Sequence, residues 1–353
     1  MRDEKIDMLR FVGLAMIILA HVGAPPLIWQ LRNFDVPLMV LVSGLSLGLC
    51  ETVQSYWEYV WKRIKRLVFP VWIFLTAYFL LIYTTGYPIQ LPNAESIPRS
   101  YLLVSGYSWI IRVFVLVALV APALWRWNRQ IRSQARYWSL LGAVYLGYEL
   151  LRYATIGSGA GEIFESTVLY LIPYALVFMV GLRLPELSRN QVLRATVGLF
   201  VICSAVGVAL YAVSGKFIFT QEFKYPPSLY YLSYALGMSG VVWLTADALL
   251  VTIKRLGLLK PVFFVAQNSM WIYLWHMPFV DIFHLPFYIQ YPCVFASASL
   301  MTFVQVKCVN QMRSPNVSNA SKTNSFRANL TASSDLNPVK EGRSLPGVKR
   351  LGS

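Results

Sequence analysis

Three ionisable side chains lie in one apolar stretch near the N-terminus, DMLRFVGLAMIILAH, which covers residues 7–21. Asp7 and Arg10 stand at its start and His21 stands at its end. A histidine titrates near neutrality, so it can take a proton from a hydroxyl or carry an acyl group. An arginine can bind an anion or polarise a carbonyl. The pattern therefore indicates proton-transfer or nucleophilic chemistry in an apolar setting.

The spacing of these three residues predicts one polar face on a helix. Arg10 and His21 are about three turns apart, with an angular offset of about 20° and a separation of about 16 Å. Asp7 lies about 60° from Arg10 and about 40° from His21. Because charges are costly in lipid, this face should point to a protein interior or a wet cavity. A structural interpretation stays open, in which Arg10 snorkels beside Asp7 and His21 is a packing residue.

Further polar and small residues interrupt other apolar blocks. Glu149 precedes Arg152 by three residues, so the two can pair on one helix. The pair Ser43-Gly44 permits close approach of a second helix. His276 lies in the stretch FVAQNSMWIYLWHMPFVD and is a further candidate for a functional intramembrane group.

A basic cluster follows the second apolar block and precedes Pro70. It consists of Lys62, Arg63, Lys65 and Arg66. Such a cluster can bind lipid phosphates and fix the topology, or it can form a site for an anionic ligand. The sequence alone leaves both interpretations open.

The composition is that of a polytopic membrane protein. Hydrophobic residues make up 57% of the 353 residues and charged residues only 13%, against about 25% in soluble domains. Apolar blocks have the length that a helix needs to cross a bilayer. We predict an all-α bundle of about ten transmembrane helices at residues 9–28, 34–50, 67–86, 107–125, 137–153, 167–183, 195–213, 229–251, 262–283 and 288–306, the last one short and weak.

The basic residues predict the orientation of the bundle. The loops on the side of the N-terminus carry 17 Lys and Arg, whereas those on the other side carry 5. The positive-inside rule therefore predicts a cytoplasmic N-terminus. Because the basic residues sit in short loops and form no single stripe, the net charge of +15 does not indicate a nucleic-acid partner.

The composition changes at about residue 307. Residues 1–306 form the predicted transmembrane domain, and residues 307–353 are rich in Ser, Asn and basic residues, which predicts a disordered tail. The four cysteines are scattered without metal or disulfide spacing. We expect no metal.

Four motifs in order resemble the acyltransferase-3 family of integral-membrane acyltransferases. The first is Asp-x-Leu-Arg followed by a histidine eleven residues after the arginine, and the second is VPLMVLVSG. The third is RIKRLVFP and the fourth is NSMWIYLWH. The residues that match the family's motifs are Asp7, Leu9, Arg10, His21, Ser43, Gly44, Arg63, Arg66, Pro70, Asn268, Ser269, Tyr273, Leu274 and His276.

The resemblance implies a membrane-embedded O-acyltransferase of the plasma membrane, such as a bacterial cytoplasmic membrane. Acyl-CoA, usually acetyl-CoA, would be the donor, and a hydroxyl of a polysaccharide or lipid-linked glycan the acceptor. His21 would be catalytic, with Arg10 polarising the thioester and Glu149 orienting the acceptor or the histidine. The basic cluster would bind CoA, and membrane lipids would surround the bundle.

A proton-coupled transporter or flippase of a lipid-linked sugar is the alternative interpretation. Such a protein would use the same buried histidine and carboxylates as a proton relay. The sequence has no evident internal repeat, which argues against it. Consumption of acyl-CoA distinguishes the two classes.

Overall fold

A computed structural model of the chain describes residues 3–53, 55–85, 96–104, 108–155 and 161–313. Within these ranges the regular structure is helical and contains no strand, which confirms the all-α prediction. The helices are α1 (Glu4–Leu19), α2 (Pro26–Leu31), α3 (Asp35–Gly48), α4 (Tyr56–Thr85), α5 (Ser96–Tyr101), α6 (Trp109–Gln130), α7 (Gln134–Thr155), α8 (Glu162–Arg183), α9 (Arg189–Ser214), α10 (Leu229–Arg255), α11 (Leu259–Gln267), α12 (Ser269–Ile282) and α13 (Phe287–Arg313). Two short 3-10 turns span Leu184–Glu186 and Thr220–Phe223.

Six helices in the described part of the chain are long and apolar enough to cross a membrane. They are α4, α6, α8, α9, α10 and α13. The protein is therefore a multi-pass membrane protein. Each of the ten predicted spans overlaps one of the longer helices. Of the four that do not meet the criterion, α1, α3 and α12 are too short, and α7, with 22 residues, is not apolar enough. The count of ten spans and the cytoplasmic N-terminus stay predictions.

The first predicted span, 9–28, does not form one helix. α1 ends at Leu19, and Gly23 follows with a φ of +63°. That left-handed conformation suits glycine, which has no Cβ to clash. Pro26 then begins the short helix α2. His21 consequently lies in the turn after α1, two residues beyond the helix on which the sequence placed it.

The ninth predicted span, 262–283, is broken at Asn268. This residue has φ −106° and ψ 19°, and it separates α11 from α12. Its side-chain amide donates to the Phe264 carbonyl at 2.9 Å, so it satisfies an end group of α11. The break gives α12 an N-terminus in the interior of the bundle.

The last predicted span is longer than the sequence indicated. α13 has 27 residues and ends at Arg313, so the expectation of a short, weak tenth segment is wrong. The chain divides into two compact units at residues 1–302 and 303–353. Of the second unit, the structure describes only residues 303–313, which continue α13. The predicted disordered tail lies otherwise outside the described residues.

The centre of the first unit is formed by α1 and α3. α1 packs against α3, α10, α11 and α12, and α3 packs against α6, α8 and α10 as well. A helix that is apolar on nearly all sides belongs in the interior, and α3 is of this kind. Its residues Val36, Leu38 and Val42 are fully buried.

Glycines allow α3 and α8 to approach with their backbones in contact. A Cβ on Gly44 would overlap the carbonyl oxygen of Phe178, and a Cβ on Gly181 would overlap that of Leu41. Close approach is the consequence predicted from the Ser43-Gly44 pair. The contact fixes α3, and with it the side chains that α3 presents to α1.

Candidate active site

A cavity of about 330 Å³ opens between α1, α3, α4, α6 and the junction of α11 with α12. Apolar side chains from α1 and α6 form much of its wall. Its polar lining residues are Arg10, Ser43, Arg63, Arg66, Gln267, Asn268, Ser269 and Tyr273. Ligand sites commonly combine apolar walls with a few convergent polar groups. This cavity is therefore the candidate active site.

Arg10 is held in place from two sides. Its Nη1 donates to Asp7 Oδ1 at 3.3 Å, and its Nη2 donates to Ser46 Oγ at 2.9 Å. Asp7 is 2% exposed, so its carboxylate is an internal partner and not a surface charge. The two contacts orient the guanidinium towards the cavity. The snorkelling interpretation therefore does not describe Arg10, although its pairing with Asp7 is correct.

Three arginines converge on the cavity. Arg63 and Arg66 reach it from α4, and a second cavity of about 400 Å³ shares Arg10, Arg66 and Gln267 with it. Guanidinium groups bind phosphate oxygens through paired hydrogen bonds. Two adjoining cavities with shared arginines suit a ligand that is both long and anionic.

The basic cluster predicted from the sequence divides into two pairs. Arg63 and Arg66 line the cavity, whereas Lys62 and Lys65 do not. Lys62 pairs with Glu58 at 2.9 Å, and the Lys65 ammonium lies 5.6 Å from the Trp61 ring centroid. Lys65 is about 100° from Arg66 around α4 and so lies on a different face, whereas Lys62 shares the face of Arg66 but lies one turn nearer the start of the helix.

The N-terminus of α12 faces the same cavity. Asn268 and Ser269, at the start of the helix, both line it, as does Tyr273 one turn further. The first amides of a helix have no partner within the helix and carry partial positive charge. They add to the positive potential that the arginines create.

Two histidines meet just beyond the end of this cavity. His21 follows Ile17 by four residues and His276 follows Tyr273 by three, and both Ile17 and Tyr273 line the cavity. The distance from His21 Nδ1 to His276 Nε2 is 3.2 Å, and the ring centroids lie 5.0 Å apart. His276 is completely buried. The N-terminal and C-terminal motifs therefore meet at His21 and His276.

Backbone carbonyls indicate the tautomer of each ring. His21 Nδ1 lies 2.9 Å from the Ile17 carbonyl, and His276 Nδ1 contacts the Tyr273 carbonyl. A carbonyl can only accept, so each Nδ1 carries the proton and each Nε2 the lone pair. The one Nδ1 proton of His21 faces both the Ile17 carbonyl at 2.9 Å and His276 Nε2 at 3.2 Å, so these two acceptors share it and Nε2 is the basic nitrogen of His21. This arrangement suits a general base or a nucleophile.

The structure does not bring Glu149 to the cavity. Its Oε2 accepts from Arg152 Nε at 2.8 Å, which confirms the predicted local pair. Its Oε1 accepts from the Tyr145 hydroxyl at 2.7 Å and from the Leu229 amide at 2.5 Å. Because Leu229 is the first residue of α10, Glu149 caps that helix from α7.

We expect Glu149→Ala to lower stability and leave chemistry intact. Loss of the cap and of the pair with Arg152 should reduce the free energy of unfolding by about 1–2 kcal/mol. Thermal unfolding measures this effect, with Glu165→Ala on the exposed face of α8 as the control. An unchanged melting temperature with activity reduced tenfold would contradict a capping role and support the catalytic role predicted from the sequence.

Sequence reasoning missed two polar residues of the site. Ser46 holds Arg10, and Gln267 lines both cavities. Ser46 lies three residues after Ser43, which is a helical spacing and would have placed both on one face of α3. Gln267 directly precedes the motif that contains Asn268, and only the break between α11 and α12 turns it inward.

The described residues contain no group of three or more His, Cys, Asp or Glu side chains that could hold a metal ion. The candidate site is built instead from guanidinium, amide, hydroxyl and imidazole groups. The described helices thus place two histidines one helical turn from residues that line an arginine-rich cavity, an arrangement that suits intramembrane chemistry on an anionic ligand.

Comparison of the chain with models of known protein families identifies the family. The acyltransferase domain of the acyltransferase-3 family matches residues 3–305, and the chain belongs to that family. The match contains the whole candidate site, from Asp7 to His276. No curated protein and no solved structure matches the chain. The protein is a membrane acyltransferase.

Proposed function

We propose that the protein transfers an acetyl group from acetyl-CoA to a hydroxyl of a cell-surface or lipid-linked glycan. The observation that carries the proposal is the arginine-lined cavity that ends one turn before the pair of His21 and His276. An anionic donor and a basic nitrogen for the acceptor are the two requirements of such a reaction. Membership of the acyltransferase family supports the reaction type.

The donor would bind with its phosphates at the arginines. CoA is a long polyanion that ends in a thioester, and the two adjoining cavities present Arg10, Arg63 and Arg66 along their length. With the phosphates bound there, the thioester would extend towards Ile17 and Tyr273. The cytoplasmic N-terminus predicted by the basic loops agrees with this assignment, because acetyl-CoA is a cytoplasmic donor. We assign the protein to the plasma membrane on the same grounds.

Transfer of the acetyl group from the thioester to the hydroxyl can follow either of two routes. In direct transfer, His21 Nε2 takes the proton of the acceptor hydroxyl while that oxygen attacks the thioester carbon. The C–O bond forms, the C–S bond breaks, and the proton passes to the leaving thiolate. In the covalent route, His21 Nε2 attacks the thioester carbon, so that a C–N bond forms, the C–S bond breaks and the thiolate leaves. The acceptor oxygen then forms the C–O bond as the C–N bond breaks, and the hydroxyl proton passes to the thiolate. Arg10, the suggested polarising group, is about 16 Å from His21 along the chain, so in either route it would instead bind the phosphates of CoA.

Acetyl-CoA turnover with paired substitutions tests the donor site. Arg66 lines both cavities, whereas Lys62 is exposed four residues away on the same helix. We expect Arg66→Ala to raise the KM for acetyl-CoA about tenfold or more, because it removes a charge-assisted hydrogen bond. Lys62→Ala should change it less than twofold. The assay follows release of free CoA by purified protein in nanodiscs.

Two results would contradict the proposal. If both substitutions raise the KM equally, general surface charge and not the cavity attracts the donor, and repeating the assay at high salt would remove the effect. If the wild-type protein neither binds nor consumes acetyl-CoA but moves a lipid-linked sugar across vesicles, the protein is the transporter considered above.

A further inference from the structure

A second group of buried charges lies at the opposite end of α3 from Ser46. Asp35, the first residue of α3, accepts from Arg32 Nη1 at 2.8 Å and from Lys224 Nζ at 3.2 Å. All three side chains are 3% exposed. Sequence reasoning did not single out any of them, because Arg32 and Lys224 stand in loop segments where basic residues are ordinary. We call these three residues the Arg32–Asp35–Lys224 cluster.

Trp29 links the cluster to the turn that contains His21. Its indole donates to the carbonyl of Ala20, the residue before His21, at 3.1 Å, and the Arg32 guanidinium lies 5.1 Å from its ring centroid. On the other side, Ile17, one turn before His21, lines the arginine-lined cavity. His21 therefore stands between two polar regions of different character, one rich in arginine and the other of mixed charge.

A buried ion pair of this kind is weak support for stability by itself. Removing charges from water costs several kcal/mol per ion, and an apolar replacement is often at least as stable. Burial lowers the pKa of Lys224, and the Asp35 carboxylate opposes that shift. Ionisable groups inside a membrane protein are mostly functional. We therefore expect the cluster to have a function other than packing.

The cluster retains hydrogen-bonding capacity for a neutral polar ligand. Asp35 Oδ1 accepts from Lys224 and from the Val36 amide, and Oδ2 accepts from Arg32. A carboxylate has about four lone-pair positions, so one remains by this count. Arg32 Nε is buried without a hydrogen-bond partner among the described residues. The cluster thus offers donors and an acceptor together.

Aromatic rings and phenolic hydroxyls surround the cluster. The Lys224 ammonium lies 5.9, 5.8 and 5.8 Å from the ring centroids of Trp109, Tyr225 and Tyr231. Tyr174 and Tyr231 are fully buried, and their hydroxyls interact with each other but with no other described residue. Buried hydroxyls usually have full sets of partners. Their deficit indicates that another hydroxylated molecule can complete the network.

The segment 220–228 covers this region. Thr220, Lys224 and Ser228 recur every four residues and are buried, at 1%, 2% and 3% exposure. The Thr220 hydroxyl accepts a hydrogen bond from Asn33 Nδ2 at 2.9 Å, and the Thr220 amide donates to Gln30 Oε1 at 3.0 Å. Ser228 Oγ is buried without a partner among the described residues. The segment therefore adds polar groups to the cluster instead of closing it with apolar ones.

We propose that the Arg32–Asp35–Lys224 cluster, with Tyr174 and Tyr231, is the binding site for the saccharide acceptor and holds one sugar hydroxyl towards His21. This inference rests on the proposed function. A sugar presents several neutral hydroxyls that both donate and accept, and it stacks on aromatic rings. The unpartnered Arg32 Nε and the tyrosine hydroxyls can donate, and Asp35 can accept, so the cluster matches a ligand whose groups do both, as sugar hydroxyls do.

Two readouts test the site separately from the donor. Wild-type protein in nanodiscs is offered methyl glycosides of glucose, galactose and N-acetylglucosamine. Saturation-transfer NMR measures glycoside binding, and CoA release measures acetyl-CoA consumption with and without glycoside. The main variant is Tyr231→Phe, which removes one hydroxyl and keeps the ring. Asp35→Asn is the second variant, with Tyr211→Phe and Lys216→Met on exposed positions as controls.

We expect Tyr231→Phe to weaken glycoside binding about fivefold to tenfold, the effect of one hydrogen bond. Asp35→Asn should weaken glycoside binding at least about tenfold. Glycoside-independent CoA release should stay within about twofold of wild type in both variants. The controls should match wild type in both readouts.

Other outcomes overturn the inference. Equal losses of glycoside-dependent and glycoside-independent turnover would show that the cluster only supports the fold. Wild-type protein that binds none of the glycosides, or Tyr231→Phe protein that binds them normally, would also overturn it. If wild type consumes no acetyl-CoA, the proposed acyl transfer fails, and the binding readout still decides whether a saccharide site exists.

Discussion

His21→Ala should lower the kcat for acetyl transfer by at least about 100-fold, the usual contribution of a general base. The reason is its position, because His21 lies one turn beyond the end of the cavity and its Nε2 carries the lone pair. The KM for acetyl-CoA should change little, since the phosphates would bind at the arginines. Turnover of purified protein, corrected for the folded fraction by thermal unfolding, measures the effect.

His284→Ala is a matched control, because His284 is exposed beyond the end of α12. It should retain wild-type turnover. Radiolabelled acetyl-CoA without acceptor then separates the two routes, since label trapped on wild type but not on His21→Ala indicates an acetyl-histidine. A His21→Ala protein that is folded and keeps more than a tenth of the wild-type kcat would place the base elsewhere.

Gly44→Ala should cause one of the largest losses of stability among single-methyl substitutions in the described core, comparable with that of Gly181→Ala. The added Cβ would overlap the Phe178 carbonyl, and α8 cannot withdraw locally because Gly181 makes the reciprocal contact with Leu41. Overpacking against backbone usually costs 1–3 kcal/mol. We expect a reduction in the free energy of unfolding of about 3 kcal/mol, measured by thermal unfolding in detergent.

Gly142→Ala supplies the comparison. Gly142 also lies within a helix, α7, but an added Cβ there meets nothing within 4 Å. Since alanine favours a helix over glycine by about 1 kcal/mol, this variant should be as stable as wild type or more so. Equal melting temperatures for the two variants would show that α3 and α8 can separate without cost.

The sequence identified residues that line or adjoin the candidate site better than it predicted their arrangement. Arg10 and His21 were found because ionisable groups in an apolar stretch are costly and therefore conspicuous. Helical periodicity could not show that α1 ends at Leu19, because the turn at Gly23 depends on a backbone conformation that glycine permits but does not require. The contact between His21 and His276 could not be predicted from helical periodicity either, since 255 residues separate them.

Other features depend on tertiary contacts that leave little trace in one sequence. The division of the basic cluster follows from the way α4 packs against α6 and α12, which no local pattern specifies. Glu149 was interpreted as a candidate for chemistry because of its apolar surroundings, and its actual partner on α10 is a backbone amide. Lys224 was counted only as a loop charge, although the fold buries it against Asp35.

The glycine contact between α3 and α8 makes α3 a rigid spacer. Asp35 at one end and Ser46 at the other are eleven residues apart, which corresponds to about 16 Å along a helix. Through Ser46 this length fixes Arg10, and through Asp35 it fixes Lys224. If the donor binds as we propose, the length of α3 sets the distance between its charged end and His21, and the donor arm has to match that length.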